Sequence, residues 1–293
     1  MTRLLSQLRG SVVFLGYVFN TLFWATPLLM VSVLKLLPIP ALRRLCSRIL
    51  DALASGWISC NSFMEKHFHP VKLTITGDVQ LSKDQWYMVI ANHQSWVDIL
   101  ILQRIFNGKI PFLKFFLKQE LIYVPVLGLA WWALDFPFMR RYSTGQLKKN
   151  PKLKGKDIEI TRKACAKFKH QPVSVMNFVE GTRFQPVKHR KQGSPFQHLL
   201  RPKAGGMAFA LSAMEEIDKL LDVTICYTQG VPSFWDYISG NGGDIRVHIE
   251  LREIGASMRG DYQNDKAFKK QFQEQLNHIW QHKDEVLGQL QAG

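Results

Sequence analysis

Tyr87-Met88-Val89-Ile90-Ala91-Asn92-His93-Gln94-Ser95-Trp96-Val97-Asp98 is the stretch on which the fold turns. Five apolar residues in a row read as a buried strand. The pattern then becomes helical from Trp96 to Phe106, with Ser95 as a candidate N-cap and Asp98 in the first turn. A strand that passes into a helix through a short polar loop is the unit from which α/β domains are built. The alternation continues outward in both directions. Val71 to Thr76, Ile110 to Phe115, Val173 to Val179, Val223 to Tyr227 and Ile245 to Leu251 read as strands. Gln119 to Leu134 (broken near Pro125), Asp157 to His170, Ala204 to Leu221 and Asp265 to Leu290 read as helices. The fold class expected is therefore α/β, with a largely parallel sheet flanked by helices. Lys188 to Arg201, which carries several basic residues, reads as a surface loop.

The first seventy residues have a different character. Ser11 to Pro38 is uncharged until Lys35, long enough to enter or span a bilayer, and lacks a small-residue cleavage site, so it is expected to be retained. Arg3 and Arg9 precede it, and Lys35, Arg43, Arg44 and Arg48 follow it. Positive charge on both flanks leaves open whether the segment crosses the membrane or only dips into it. Leu42 to Met64 is amphipathic and suits a returning helix. A buried core helix is the competing reading of the apolar run. Residues 1–64 are thus expected to form a membrane-anchoring helical segment and residues 65–293 the α/β domain.

The chain of 293 residues holds 38 Lys and Arg against 23 Asp and Glu, a net charge of +15. Such a field attracts anions. Basic residues at Arg43-Arg44, Lys114, Lys118, Arg140-Arg141 and Lys148-Lys149 lie beside apolar and aromatic stretches, which suits an anionic membrane surface better than nucleic acid. No finger, helix-turn-helix or ribonucleoprotein signature accompanies the charge. The cysteines, Cys46, Cys60, Cys165 and Cys226, match no zinc spacing and read as reduced thiols.

Two clusters carry the chemistry. His93 and Asp98 follow one strand. A neutral imidazole removes a hydroxyl proton near neutral pH, and a carboxylate on its other nitrogen fixes the tautomer and stabilises the imidazolium. An amide at position 98 is accordingly expected to cost activity through the wrong tautomer. The same Ser95-x-x-Asp98 is also a variant capping box, which needs no catalysis to explain it. Glu180-Gly181-Thr182-Arg183 follows the other strand. Its glycine lets backbone amides approach a ligand, its arginine binds phosphate bidentately, and Glu180 can hold that guanidinium or a nearby loop. The bland alternative is a surface turn with a local ion pair.

In this order the clusters resemble those of the glycerolipid acyltransferases of the 1-acyl-glycerol-3-phosphate type, over roughly residues 71 to 250. Lys118-Gln119-Glu120-Leu121 with Pro125, Gly128 and Arg140 or Arg141 is similar to the family's second block, and Lys203 with Gly205 to an element before the last strand. Trp132 to Tyr142 is similar to a bacterial inner-membrane subgroup. The chain departs from the family at Val179 and within Val223 to Tyr227, where prolines are usual. The resemblance implies an O-acyltransferase that moves a chain from acyl-CoA or acyl carrier protein to the sn-2 hydroxyl of a lysophospholipid. It implies His93 and Asp98 as catalytic residues, and Arg183, Glu180, Gly181, Thr182, Lys118, Arg140 and Arg141 around the phosphate. No metal or bound cofactor is expected, and the site is expected to face the cytoplasm at a bacterial inner membrane. Another lysophospholipid acceptor, thioester hydrolysis, or a non-catalytic lipid-binding protein are the alternatives.

Overall fold

In the computed structural model, residues 2–68, 71–139, 165 and 171–292 are described. Two long helices lead: α1 (Thr2–Lys35) and α2 (Pro40–Phe68). There follow β1 (Leu73–Thr76), β2 (Tyr87–Ala91), α3 (Val97–Phe106), β3 (Leu113–Phe115), β4 (Leu117–Lys118), a 3-10 turn at Gln119–Tyr123, and α4 (Leu127–Ala133). The rest comprises β5 (Phe138–Met139), β6 (Ser174–Asn177), α5 (Pro186–Gln192), α6 (Ala204–Ala213), β7 (Lys219–Tyr227), α7 (Phe234–Ile238), β8 (Ile245–Glu253) and α8 (Lys266–Ala292).

The main sheet has the order β1-β8-β7-β2-β6-β3. Every pairing is parallel except β7 with β8, so the expected α/β class with a largely parallel sheet is found. β2 lies centrally and is buried on both faces, which explains its unbroken apolar run. Its alternate residues feed two cores. Tyr87, Val89 and Ala91 join Val97, Ile101 and Leu102 of α3 on one side. Met88 and Ile90 join Met207 and Leu211 of α6 and Phe272, Leu276 and Trp280 of α8 on the other. β2, β6 and their loops therefore deliver Asn92-His93 and Glu180-Gly181 to the same end of the sheet, the carboxyl end at which ligands bind in open α/β sheets.

Three expectations need correction. The helix expected over Ala204 to Leu221 stops at Ala213, and Lys219 to Leu221 open strand β7 instead. Leu220 and Leu221 pair with Met88 and Val89 on one side and with Arg252 and Leu251 on the other, so ladder formation overrides a helix-forming composition. Lys188 to Arg201 is not simply a surface loop. Pro186 starts a short helix that Gly193 ends in the left-handed region (φ 52°), Phe196 and Leu199 are buried in the core with α8, and Leu200 is buried as well. The strand expected from Ile110 is confined to Leu113–Phe115, since Pro111 has no N–H to give a ladder. Gln119 to Leu134 is broken near Pro125 as expected, into the 3-10 turn before it and α4 after it. The helix expected over Asp157 to His170 lies outside the described residues apart from Cys165.

α1 is the one helix, among the described residues, long and apolar enough to cross a membrane. It packs along α2, where Gly56 lets the helices approach closely: a Cβ there would stand 2.4 Å from the Trp24 ring. Asn20 donates to Trp57 O and Asn61 Oδ1, and Tyr17 donates to Glu65 Oε1 at 2.8 Å. Tyr237 of α7 donates to the other Glu65 oxygen, and Lys35 pairs with Asp135 beside α4. These buried polar links fix the hairpin on the α/β domain. Its outer face leaves Leu15, Phe19, Leu22, Phe23, Met30 and Val33 exposed.

Candidate active site

The loop after β2 is built by side chains that imitate backbone. Asn92 accepts from Ile225 N and donates to Ile225 O, both at 2.8 Å, which extends the β2–β7 ladder by one rung beyond the last strand residue. His93 comes next. Its Nδ1 lies 2.8 Å from Asp98 Oδ2, and the same oxygen accepts from the Gln94 and Ser95 amides at 2.7 and 2.9 Å. The Ser95 amide is the bond a capping box would make, and the histidine shares its acceptor. Only this half of a capping box forms, because the Ser95 hydroxyl returns no bond to Asp98 N; the carboxylate holds the loop and the ring instead. Ser95 itself lies one residue before the helix N-cap, Trp96, and its hydroxyl donates to Pro232 O.

Because an ionised carboxylate only accepts, this network assigns the proton to His93 Nδ1 and leaves Nε2 with its lone pair. The ring is stacked on Phe178 with centroids 3.9 Å apart and 14° between planes. It is therefore held both along its edge and across its face.

Glu180 is fully buried and serves backbone groups. Its Oε1 accepts from His93 N and its Oε2 from Leu200 N, both at 3.0 Å. Burial pushes its carboxyl up to about 8, against the two amide bonds that favour the ionised form. Expected in the phosphate-binding set, Glu180 instead lies behind the cavity wall, and its partners are loops rather than the Arg183 guanidinium. The Leu200 loop is fixed in turn by α8: Asp284 accepts from the Gln197 and His198 amides, and Trp280 Nε1 donates to Leu200 O.

Gly181 takes φ 71°, a conformation that strains any residue with a side chain, and so turns Thr182 and Arg183 back toward the histidine. Phe184 N donates to His93 O at 2.7 Å, which ties the two clusters directly. A single cavity of about 230 Å³ is lined by His93, Gly181, Thr182, Arg183 and Lys118 together with Trp96, Phe115, Phe116, Leu117, Met176, Asn177, Phe178 and Lys188. The imidazole and the guanidinium thus share one space. Arg140 and Arg141 lie outside the described residues. Among those described, no group of three or more His, Cys, Asp or Glu side chains is placed to hold a metal ion.

A family model described as "Acyltransferase" matches residues 72–228, a span that contains every residue of this cavity. The chain belongs to the acyltransferase family. It is 25% identical, over 72% of its length, to a protein of Arabidopsis thaliana named probable 1-acyl-sn-glycerol-3-phosphate acyltransferase 5, and spans 56% of that relative. It is 32% identical to the 1-acyl-sn-glycerol-3-phosphate acyltransferase of Saccharomyces cerevisiae over 47% of its length and 42% of the relative's. The crystal structure of the 1-acyl-sn-glycerophosphate acyltransferase PlsC of Thermotoga maritima has the same fold, with a TM-score of 0.58 at 17% identity and 98% of both chains covered.

Two residues of this acyltransferase site escaped the sequence reading. Lys188 of α5 donates to Thr182 Oγ1 at 2.6 Å and to Arg183 O, fixing the turn and adding a third cation to the cavity. Tyr227, at the end of β7, donates to Asp98 Oδ1 at 2.5 Å. Burial and the Asp98 charge hold its phenol well above the usual range, so it remains a donor. Trp96 lies beneath Arg183, with the guanidinium carbon 5.2 Å from the ring centre. Lys203 bonds Val179 O through its backbone, and its side chain is exposed rather than among the cavity-lining groups.

Proposed function

We propose that this acyltransferase moves an acyl chain from an acyl thioester to the sn-2 hydroxyl of 1-acyl-glycerol-3-phosphate, giving phosphatidate. One observation carries the reading: an imidazole with a free Nε2 opens into the same cavity as Arg183, Lys118 and Lys188. A base and a phosphate cradle in one space suit an acceptor that carries both a hydroxyl and a phosphate.

In this mechanism Arg183 binds the phosphate through two parallel N–H bonds, and the lysines add charge. The acceptor oxygen attacks the thioester carbonyl carbon as its proton passes to His93 Nε2. Asp98 stabilises the imidazolium that forms. The tetrahedral intermediate then expels the thiolate of coenzyme A or of acyl carrier protein. That sulfur takes the proton from Nε2, which restores the base. The step uses no covalent acyl-enzyme and calls for no bound cofactor.

The N-terminal hairpin supports a membrane substrate. Pulling an acyl chain into water costs about 0.8 kcal/mol per CH₂, and the apolar outer face of α1 offers a way to work at the bilayer instead. We place that face in the membrane, with Arg43, Arg44 and Arg48 at anionic headgroups and the α/β domain on the cytoplasmic side of a bacterial inner membrane. The test is product formation from labelled acyl-CoA or acyl carrier protein, with and without lysophosphatidate in vesicles. Phosphatidate that appears only with the acceptor supports the reading. Free fatty acid released equally without it replaces the reading with thioester hydrolysis.

A further inference from the structure

Tyr227 contributes nothing to the cavity wall, yet it is held in the core 129 positions from Asp98 with its hydroxyl on that carboxylate. We propose that Tyr227 is a positioning residue for acyl transfer, which sets the charge and orientation of Asp98 and through it the proton affinity of His93. The proposal rests on the reading of His93 as the base.

Three donors converge on Asp98 Oδ2: the His93 ring, Gln94 N and Ser95 N. Oδ1 has Tyr227. Without the phenol, Oδ1 is a buried acceptor with no donor among the described residues, and the bonds at Oδ2 alone set the angle of the carboxylate. A phenolic donor also draws negative charge toward Oδ1 and away from the oxygen that faces the ring. Tyr227 therefore weakens the pull of Asp98 on an imidazolium while fixing the angle at which the ring is held. The base keeps its place and gives its proton back to the leaving thiolate more readily.

The other groups around the ring do not supply this control. Glu180 meets the His93 amide, not the imidazole. Arg183, Lys118 and Lys188 line the cavity, which Asp98 does not. Lys283 acts on Glu180, and Tyr237 faces Glu65.

The experiment follows the His93 ring by NMR in the full chain in lipid nanodiscs, with no substrate present and with the ring signals assigned against His93→Gln. In Tyr227→Phe the titration midpoint of the ring is expected about one pH unit above that of the parent. The plateau kcat for acyl transfer is expected to fall about 3- to 10-fold from looser orientation. Tyr237→Phe removes an equally buried hydroxyl and is expected to leave the midpoint in place. If Tyr227→Phe does not fold, 3-fluorotyrosine at position 227, a stronger donor, moves the midpoint downward. A midpoint unmoved by the fluorinated residue or by Tyr227→Phe overturns the proposal. Because the ring is followed without substrate, that result is separate from the case in which the parent transfers no acyl chain, which would instead overturn the proposed function.

Discussion

Asp98→Asn separates two effects that a carboxylate beside a histidine usually combines. Read from sequence alone, an amide there presents its NH₂ to the ring and traps the wrong tautomer, an effect that costs about 10⁴-fold in kcat. The structure argues otherwise. The oxygen nearest His93 also accepts from the Gln94 and Ser95 amides, and two backbone donors do not tolerate an NH₂ group. The amide oxygen must occupy that position and still accept from Nδ1–H. The NH₂ then faces Tyr227, whose hydroxyl can rotate to accept. Geometry and tautomer survive, and only the charge is lost. A carboxylate and an imidazolium with centres about 4 Å apart interact by about 4 kcal/mol at an effective dielectric near 20. The loss of kcat is therefore expected at about 10²- to 10³-fold. Two assays decide it: steady-state acyl transfer, and ring nitrogen shifts of the neutral histidine. A loss of 10⁴-fold or more together with the Nε2–H tautomer would refute the amide argument, and a loss below about 3-fold would refute the role of the charge.

Other consequences follow from the same bonds. Arg183→Ala is expected to raise KM for the lysophospholipid about 10- to 100-fold, with the loss of a charge-assisted phosphate contact of about 1.5–3 kcal/mol. Its melting temperature should match the parent's, since the guanidinium lies on an exposed tryptophan. Lys283 is fully buried, with Asp222 Oδ1 at 2.6 Å and Val223 O at 2.6 Å, so Lys283→Met leaves buried Asp222 only the more exposed Arg252, 3.7 Å from its Oδ2, as a charge partner among the described residues. It is expected to destabilise the fold by about 3 kcal/mol in denaturant titrations, and a cost below about 1 kcal/mol would contradict the pairing. Glu180 holds its proton to about 8 in the fold against 4.5 for the free side chain. The folded state binds the extra proton between those values, so unfolding free energy is expected to fall as pH rises from about 4.5 to 8 and to level off beyond. Glu180→Gln should remove that slope while costing about 1–3 kcal/mol, because an amide satisfies only one of the His93 and Leu200 N–H groups.

The parts of this molecule that were legible in the sequence are those with local causes. β2 announced itself by burial on both faces, and His93 and Asp98 were recognisable because strand, loop and helix start lie within twelve residues. Gly181 was legible as a turn because the conformation it takes excludes side chains. What escaped was decided at a distance. Leu220 and Leu221 sit in a helix-forming context and become strand only through β2 and β8. Phe196 and Leu199 look like loop residues until α8, which begins at Lys266, arrives to cover them. Of the two roles open to Glu180 in the sequence, the structure shows the holding of nearby loops, and which loops could not be read locally. Its neighbour in sequence is Arg183, yet its partners are the amides of residues 93 and 200. Tyr227 had no local signal, because its partner, Asp98, lies 129 positions away.

The account stands on the Nε2 lone pair of His93. Its most direct test compares the parent and His93→Ala, both purified and reconstituted in the same vesicles with labelled acyl donor and lysophosphatidate. General-base assistance is worth about 10²- to 10⁴-fold, so the variant is expected to form phosphatidate at 1% of the parent rate or less while binding the vesicles equally. Phosphatidate made by His93→Ala at the parent's rate would contradict the account.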